Sequence, residues 1–258
     1  MSTTGPAERL RFHELRRILR LRRAQLTFTL AAVRLLWCAR QGQVKEIWVG
    51  DSHAALVPAT TVGAPLRHVG DGHWSCHLGP RLMFSIARDG LPSSLVRISR
   101  LIARTRNAGA IRWIYTFGEI DTRCHLAPRL ERPGAFDFVA TYLDRIHDGA
   151  RQTGADRVLV LVPFPASDRY PDQTGFPKVG TPAERIRACA IVREELHRAA
   201  STLPAGRPRV LLLDRTEDLV DDTGAASEWA TSDGVHTNDN GRAVLREEIN
   251  RLLATSGS

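Results

Sequence analysis

The feature that most constrains the fold is an alternation of short, continuous apolar runs with longer stretches of helical periodicity. Runs of strand character fall at residues 45–49, 65–69, 110–117, 157–162 and 210–213. The strongest of them carries Ile111, Trp113, Ile114, Tyr115 and Phe117 and stops at Gly118. Helical spacing of apolar side chains marks 81–89, 92–107, 136–153, 182–200 and 240–253. Strands that are apolar throughout, rather than at every second position, belong to a sheet covered on both faces. That is the setting of parallel strands joined by helical crossovers. With right-handed crossovers, the five runs predict an α/β protein, a three-layer α/β/α sandwich around a five-stranded parallel sheet.

The chain has 258 residues, 43% of them hydrophobic, enough for one good-sized core or two small ones. Its four cysteines, Cys38, Cys76, Cys124 and Cys189, form no Cys-x-x-Cys pair and no dense disulfide spacing. Reduced thiols and a cytoplasmic location are therefore expected. The net charge of +8 is unevenly placed, because the first forty residues hold nine arginines and only two glutamates. Seven of the eight net charges thus belong to one segment and say little about a substrate. Two parts are expected: a basic helical extension over 1–42 and the α/β/α domain over 43–258. The apolar section of the extension, 26–39, is 14 residues long and contains Arg34, too short to span a bilayer. Such a helix can dock on its own domain through its apolar side, or meet a membrane surface, a partner or an oligomer mate. Nucleic acid is not an expected partner.

Open α/β sheets place their chemistry in loops beyond the carboxyl ends of the strands. Gly50, Asp51, Ser52 and His53 follow the first run directly. Serine is a weak nucleophile by itself and needs a base. One is available at Asp233-Gly234-Val235-His236, just before the last helix. An imidazole takes a serine proton near neutral pH, and an aspartate three residues earlier can fix its tautomer and stabilise the imidazolium. His53 adjoins Ser52 in sequence and points away from it, so His236 fits the role of base better. Each piece also has an ordinary reading. Gly-Asp-Ser can be a strand-to-loop turn with a capping serine, and Asp-Gly is a common turn. A metal centre built from His73, Cys76, His77, Cys124 and His125 is a different class of chemistry. Its ligand types suit zinc, but its spacing matches no standard site, so neither a metal nor another cofactor is expected.

Gly50-Asp51-Ser52 and Asp233-Gly234-Val235-His236 together resemble the first and last blocks of the SGNH (GDSL-type) hydrolase superfamily. The resemblance covers roughly residues 43–255 and leaves the basic extension outside it. It implies a flavodoxin-like α/β/α sandwich of serine esterases, lipases and acyl-processing enzymes. Ser52 would be the nucleophile, His236 the base and Asp233 its partner. The implied oxyanion hole combines the Ser52 amide, a second-block glycine amide and a third-block asparagine. Gly79 is preferred over Gly70 and Gly72, since Leu78-Gly79-Pro80 opens the helix at residue 81. The third block reads Gly118-Glu119-Ile120-Asp121, with Ile120 where the family has asparagine. Isoleucine donates no hydrogen bond, and losing one oxyanion donor can cost on the order of 10²–10³ in turnover. Asp121, Glu119, Arg123 and His125 are the candidates for substrate or oxyanion support; Glu119 and Arg123 also read as a buried pair shaping the loop. The implied activity is hydrolysis of a small acyl ester, with a small-molecule or glycan ester, such as an acetylated secondary metabolite, as substrate. The same triad serves acyltransferases, and the fold can also persist as a non-catalytic binding domain. Phe164, Tyr170, Phe176, Trp74 and Trp229 either line a pocket or cover the core.

Overall fold

The computed structural model describes residue 22 and residues 25–55, 65–171, 176–206 and 208–254. Helix α1 covers 25–40; residues 1–21, 23 and 24 of the expected basic helical extension lie outside the described residues. The chain then runs β1 (Glu46–Gly50), β2 (Leu66–Gly70), β3 (His73–His77), α2 (Met83–Asp89), α3 (Ser93–Ile102), β4 (Arg112–Thr116) and a helical turn α4 (Glu119–Asp121). It continues through α5 (Phe138–Ala150), β5 (Arg157–Leu161), α6 (Pro182–Thr202), β6 (Arg209–Leu213), α7 (Thr216–Leu219) and α8 (Asp239–Ala254).

The strands form one six-stranded sheet in the order β2-β3-β1-β4-β5-β6. Every pairing is parallel except β2 with β3. The sandwich expected from the apolar runs is therefore present, with two corrections. The run at 65–69 is not a parallel strand; it becomes the antiparallel edge strand β2. The second parallel strand is β3, within the polar segment 70–80 that reads as a loop. Trp74 and Cys76 of β3 point into the core, both almost fully buried, and that burial outweighs the polarity of His73, Ser75 and His77. Without β2, the order β3-β1-β4-β5-β6 is the flavodoxin-like arrangement of five parallel strands.

Burial on both faces explains the continuous apolar runs. Ile47 and Val49 of β1, Trp113 and Tyr115 of β4, and Val158 and Val160 of β5 face one layer, which holds residues of α1, α2, α3, α5 and α6. Trp48, Ile114, Leu159 and Leu161 face the other layer, with Leu219 of α7 and Val244, Leu245 and Ile249 of α8. Helix α6 opens with a capping box: the Thr181 side chain accepts from the Glu184 amide, and the Glu184 carboxylate accepts from the Thr181 amide. The segment after Gly118, where Glu119 and Arg123 are expected to shape a loop, is helical, α4 passing into a wider turn at Thr122–Leu126. Among the described residues, no helix is long and apolar enough to cross a membrane.

Candidate active site

β1 ends at a point where no side chain fits. A Cβ on Gly50 would lie 2.0 Å from the Thr116 carbonyl oxygen and 2.1 Å from Thr116 Oγ1, well inside contact distance. The close approach lets the Asp51 amide donate to the Thr116 carbonyl at 3.1 Å, and the chain turns there. Asp51 Oδ1 accepts the His53 amide at 3.0 Å, in the manner of a helix cap, and Ser52–Ala55 form a 3-10 turn. Ser52 thereby stands beyond the carboxyl end of β1. The chain winds outward from β1 in both directions, to β3 on one side and β4 on the other, so this is the topological switch point where open α/β sheets bind ligands.

The histidine arrives on a small hairpin closed by the bridge between Thr231 and Thr237 and by the Ser232 amide donating to the His236 carbonyl at 2.9 Å. At its tip, Asp233 Oδ1 accepts the amides of Val235 and His236 at 3.0 and 2.8 Å. Its other oxygen, Oδ2, lies 2.7 Å from His236 Nδ1. His236 Nε2 lies 2.8 Å from Ser52 Oγ. Although burial alone raises the Asp233 pKa, the hydrogen bonds from the His236 ring and amide prevail and hold it at about 2. The carboxylate is thus ionised across the neutral range, and a charged acceptor at Nδ1 favours the tautomer whose free Nε2 can accept the serine proton.

Packing and one backbone hydrogen bond from the 166–170 segment hold the hairpin in place. Val235 is buried with Ala166 and Tyr170 in a small separate cluster. The Ser167 amide donates to the Gly234 carbonyl at 2.8 Å. The Tyr170 ring lies edge-on to His236, with centroids 6.0 Å apart. The only sequence signal for this support was a lone tyrosine in a proline- and glycine-rich loop. Phe164 is buried against His53, and Trp74 lies in the core, so neither is a rim residue; Trp229 is exposed.

On the other side of Ser52, the Leu78 amide donates to the Gly50 carbonyl at 2.8 Å. Gly79, the next residue, therefore lies beside the end of β1. Its φ of +73° favours glycine, and the space where a Cβ would stand is open. Its amide donates to no backbone acceptor among the described residues. The Ser52 amide opens a 3-10 turn, where amides have no intrahelical partner.

The Asp121 carboxylate accepts the Met83 and Phe84 amides at 2.7 and 3.1 Å and so caps α2, whose own N-cap, Leu82, has no side-chain acceptor. Burial pushes its pKa up to about 7 despite these bonds. Asp121 thus anchors the segment that carries Gly79. Glu119 and Arg123 form the buried pair, with Arg123 Nε 2.5 Å from Glu119 Oε1. Arg123 also donates to the Phe176 carbonyl and lies over the Tyr170 ring, 4.8 Å from its centroid. Ile120 is buried. His125 is half-buried, its pKa lowered by burial and by Arg129 and Arg123. Among the described residues, no hydrogen bond joins Arg123 or His125 to Ser52.

His53 is not placed as a base. Burial, reinforced by the charge of His236, lowers its pKa to about 3; its Nε2 is buried with no hydrogen-bond partner among the described residues. Asp51 behaves oppositely. Burial and the nearby Glu119 raise its pKa well above the usual carboxylate range. The possible metal set is dispersed, because alternation along β3 puts Cys76 in the core while His73 and His77 stay half-exposed. Among the described residues, no group of three or more His, Cys, Asp or Glu side chains is arranged to hold a metal ion.

An α/β/α sandwich with a serine, a histidine and an aspartate in line at its switch point defines a recognisable class of structure. Among solved structures, a GDSL-like lipase from Bacteroides thetaiotaomicron superposes with a TM-score of 0.53 at 12% identity, covering 89% of this chain and 98% of that one. A provisionally assigned platelet activating factor protein from Streptococcus pneumonia gives 0.52 at 12% identity over 93% and 99%. A provisionally assigned acylhydrolase from Bacteroides fragilis gives 0.50 at 13% identity over 82% and 86%. The chain has the fold of the SGNH (GDSL-type) hydrolases. No family model and no curated protein matches its sequence.

Proposed function

We propose that this protein is a serine-dependent carboxylic ester hydrolase acting on small acyl esters, with Ser52 as nucleophile, His236 as base and then acid, and Asp233 as the group that orients His236. The observation that carries the reading is the continuous hydrogen-bonded relay from Asp233 through His236 to Ser52, at 2.7 and 2.8 Å. The solved lipase and acylhydrolase with the same fold support the reaction class. His236 Nε2 takes the Ser52 proton as Oγ bonds to the ester carbonyl carbon, and the carbonyl oxygen becomes an oxyanion facing the Ser52 and Gly79 amides. The imidazolium returns the proton to the leaving alcohol as the carbon–oxygen bond breaks. Water then attacks the acyl-enzyme by the same route, giving the carboxylic acid and free Ser52. With Ile120 in the third block, two backbone amides stabilise the oxyanion without a side-chain donor. The preference for a small acyl group, such as acetyl on a glycan or secondary metabolite, rests on a sequence without a long apolar lid.

The test is incubation with a fluorophosphonate probe and with chromogenic esters of increasing acyl length, beside Ser52→Ala. The expected result is labelling at Ser52 and turnover of the acetyl ester, both lost in the variant. Faster turnover of long-chain than of acetyl esters would overturn the small-acyl assignment. A wild-type chain that is neither labelled nor active would point instead to a binding domain built on the same fold.

A further inference from the structure

Helix α1 has two apolar faces, and the sheet uses only one. Leu35 and Ala39 are buried in the core, with Phe28, Ala31, Ala32 and Leu36 packed against it. On another side, Leu26, Leu30, Val33 and Trp37 are 61%, 62%, 61% and 63% exposed. Their spacing of four, three and four residues puts all four on one stripe of the helix. At 100° per residue, Arg40 falls on the edge of that stripe and Arg34 beside it; both are exposed, as is Arg22. The sequence from residue 15 to residue 45 contains eight basic residues and not one carboxylate.

We propose that this face of α1 docks on an anionic membrane surface, with Leu26, Leu30, Val33 and Trp37 entering the boundary between headgroups and acyl chains and the arginines meeting lipid phosphates. The charge decides the occupant. A second copy docked through the same stripe would set two carboxylate-free, arginine-bearing helices against each other, and like charges at close range oppose association. An anionic lipid surface meets both features at once, since apolar insertion and basic attraction are the two signals that together give stable peripheral binding. Trp37 has the amphipathic ring favoured at such boundaries. The helix is held to the domain by its other face, so docking needs no rearrangement of the fold.

The full-length protein is floated with vesicles of phosphatidylcholine alone or with about one third phosphatidylglycerol, beside Leu30→Gln/Trp37→Gln and Arg22→Gln/Arg34→Gln/Arg40→Gln. The expected result is binding to the anionic vesicles only, weakened at least about tenfold by either set of substitutions and by raising salt from about 0.1 to 0.5 M. All these side chains are exposed, so circular dichroism and the thermal midpoint should be unchanged. Absence of binding, or equal binding to both vesicle types, overturns the proposal. So does a concentration-dependent dimer in sedimentation velocity that Leu30→Gln/Trp37→Gln dissolves, which would assign the stripe to a second copy.

Discussion

Gly50 shows how one position can carry both fold and site. It lacks a side chain because β4 passes too close, not because a turn requires glycine, and Ser52 depends on the turn that this approach permits. Gly50→Ala should push β1 and β4 apart at the site, lowering stability by about 3 kcal/mol or more. Denaturant unfolding measures that loss; an alanine variant of wild-type stability would contradict the close approach. The same sequence block holds two titratable groups with opposite responses to burial, Asp51 pushed up and His53 pushed down. Burial works against the charged form of each, while Asp233 is kept ionised by its hydrogen bonds. Residue identity alone marks all three as candidates. Surroundings supplied by distant segments sort them.

At the scale of elements, the segment carrying Gly79 and the α4 turn are joined by one carboxyl group. Asp121 caps α2 from the α4 turn, and in the folded chain it keeps its proton up to about pH 7. An aspartate in the unfolded chain releases its proton near pH 4. The sign follows: the folded state binds more protons between those values, so this stability is complete below about pH 4 and is lost as pH rises through 7. Asp121→Asn, neutral at every pH, should lose less stability than wild type between pH 5 and pH 8, by about 1 kcal/mol or more. Urea unfolding at the two pH values measures it, and parallel behaviour of the two proteins would rule out a buried, proton-holding Asp121. Elements were legible where burial and periodicity agreed, as in β1, β4, β5 and α6. They were misread where tertiary packing overrode local character. His73, Ser75 and His77 look like loop residues, yet Trp74 and Cys76 have a core to fill and β1 offers a ladder.

For the whole molecule, the sheet is graded from centre to edge. β1, β4 and β5 each pair on both sides and are almost entirely buried, whereas β2 pairs only with β3, antiparallel and with a register shift. Native-state hydrogen exchange should find the amides of β1, β4 and β5 slowest, opening only with global unfolding, and those of β2 markedly faster. Uniform protection across the sheet would contradict this gradation. The graded sheet also gives Ser52 a rigid base at its centre, with Gly79 and His236 brought to it from either side. By itself the sequence determined the layered α/β class, most of the parallel strands and the pairing of Ser52 with His236 and Asp233, because apolar periodicity and short polar motifs are local signals. Tertiary structure alone decided that 73–77 is the strand beside β1, that Asp121 caps α2, that Tyr170 and Val235 support His236, and that α1 leaves an apolar stripe exposed. Each of these depends on which distant surfaces meet, and burial between segments far apart in the chain leaves no periodic trace along it.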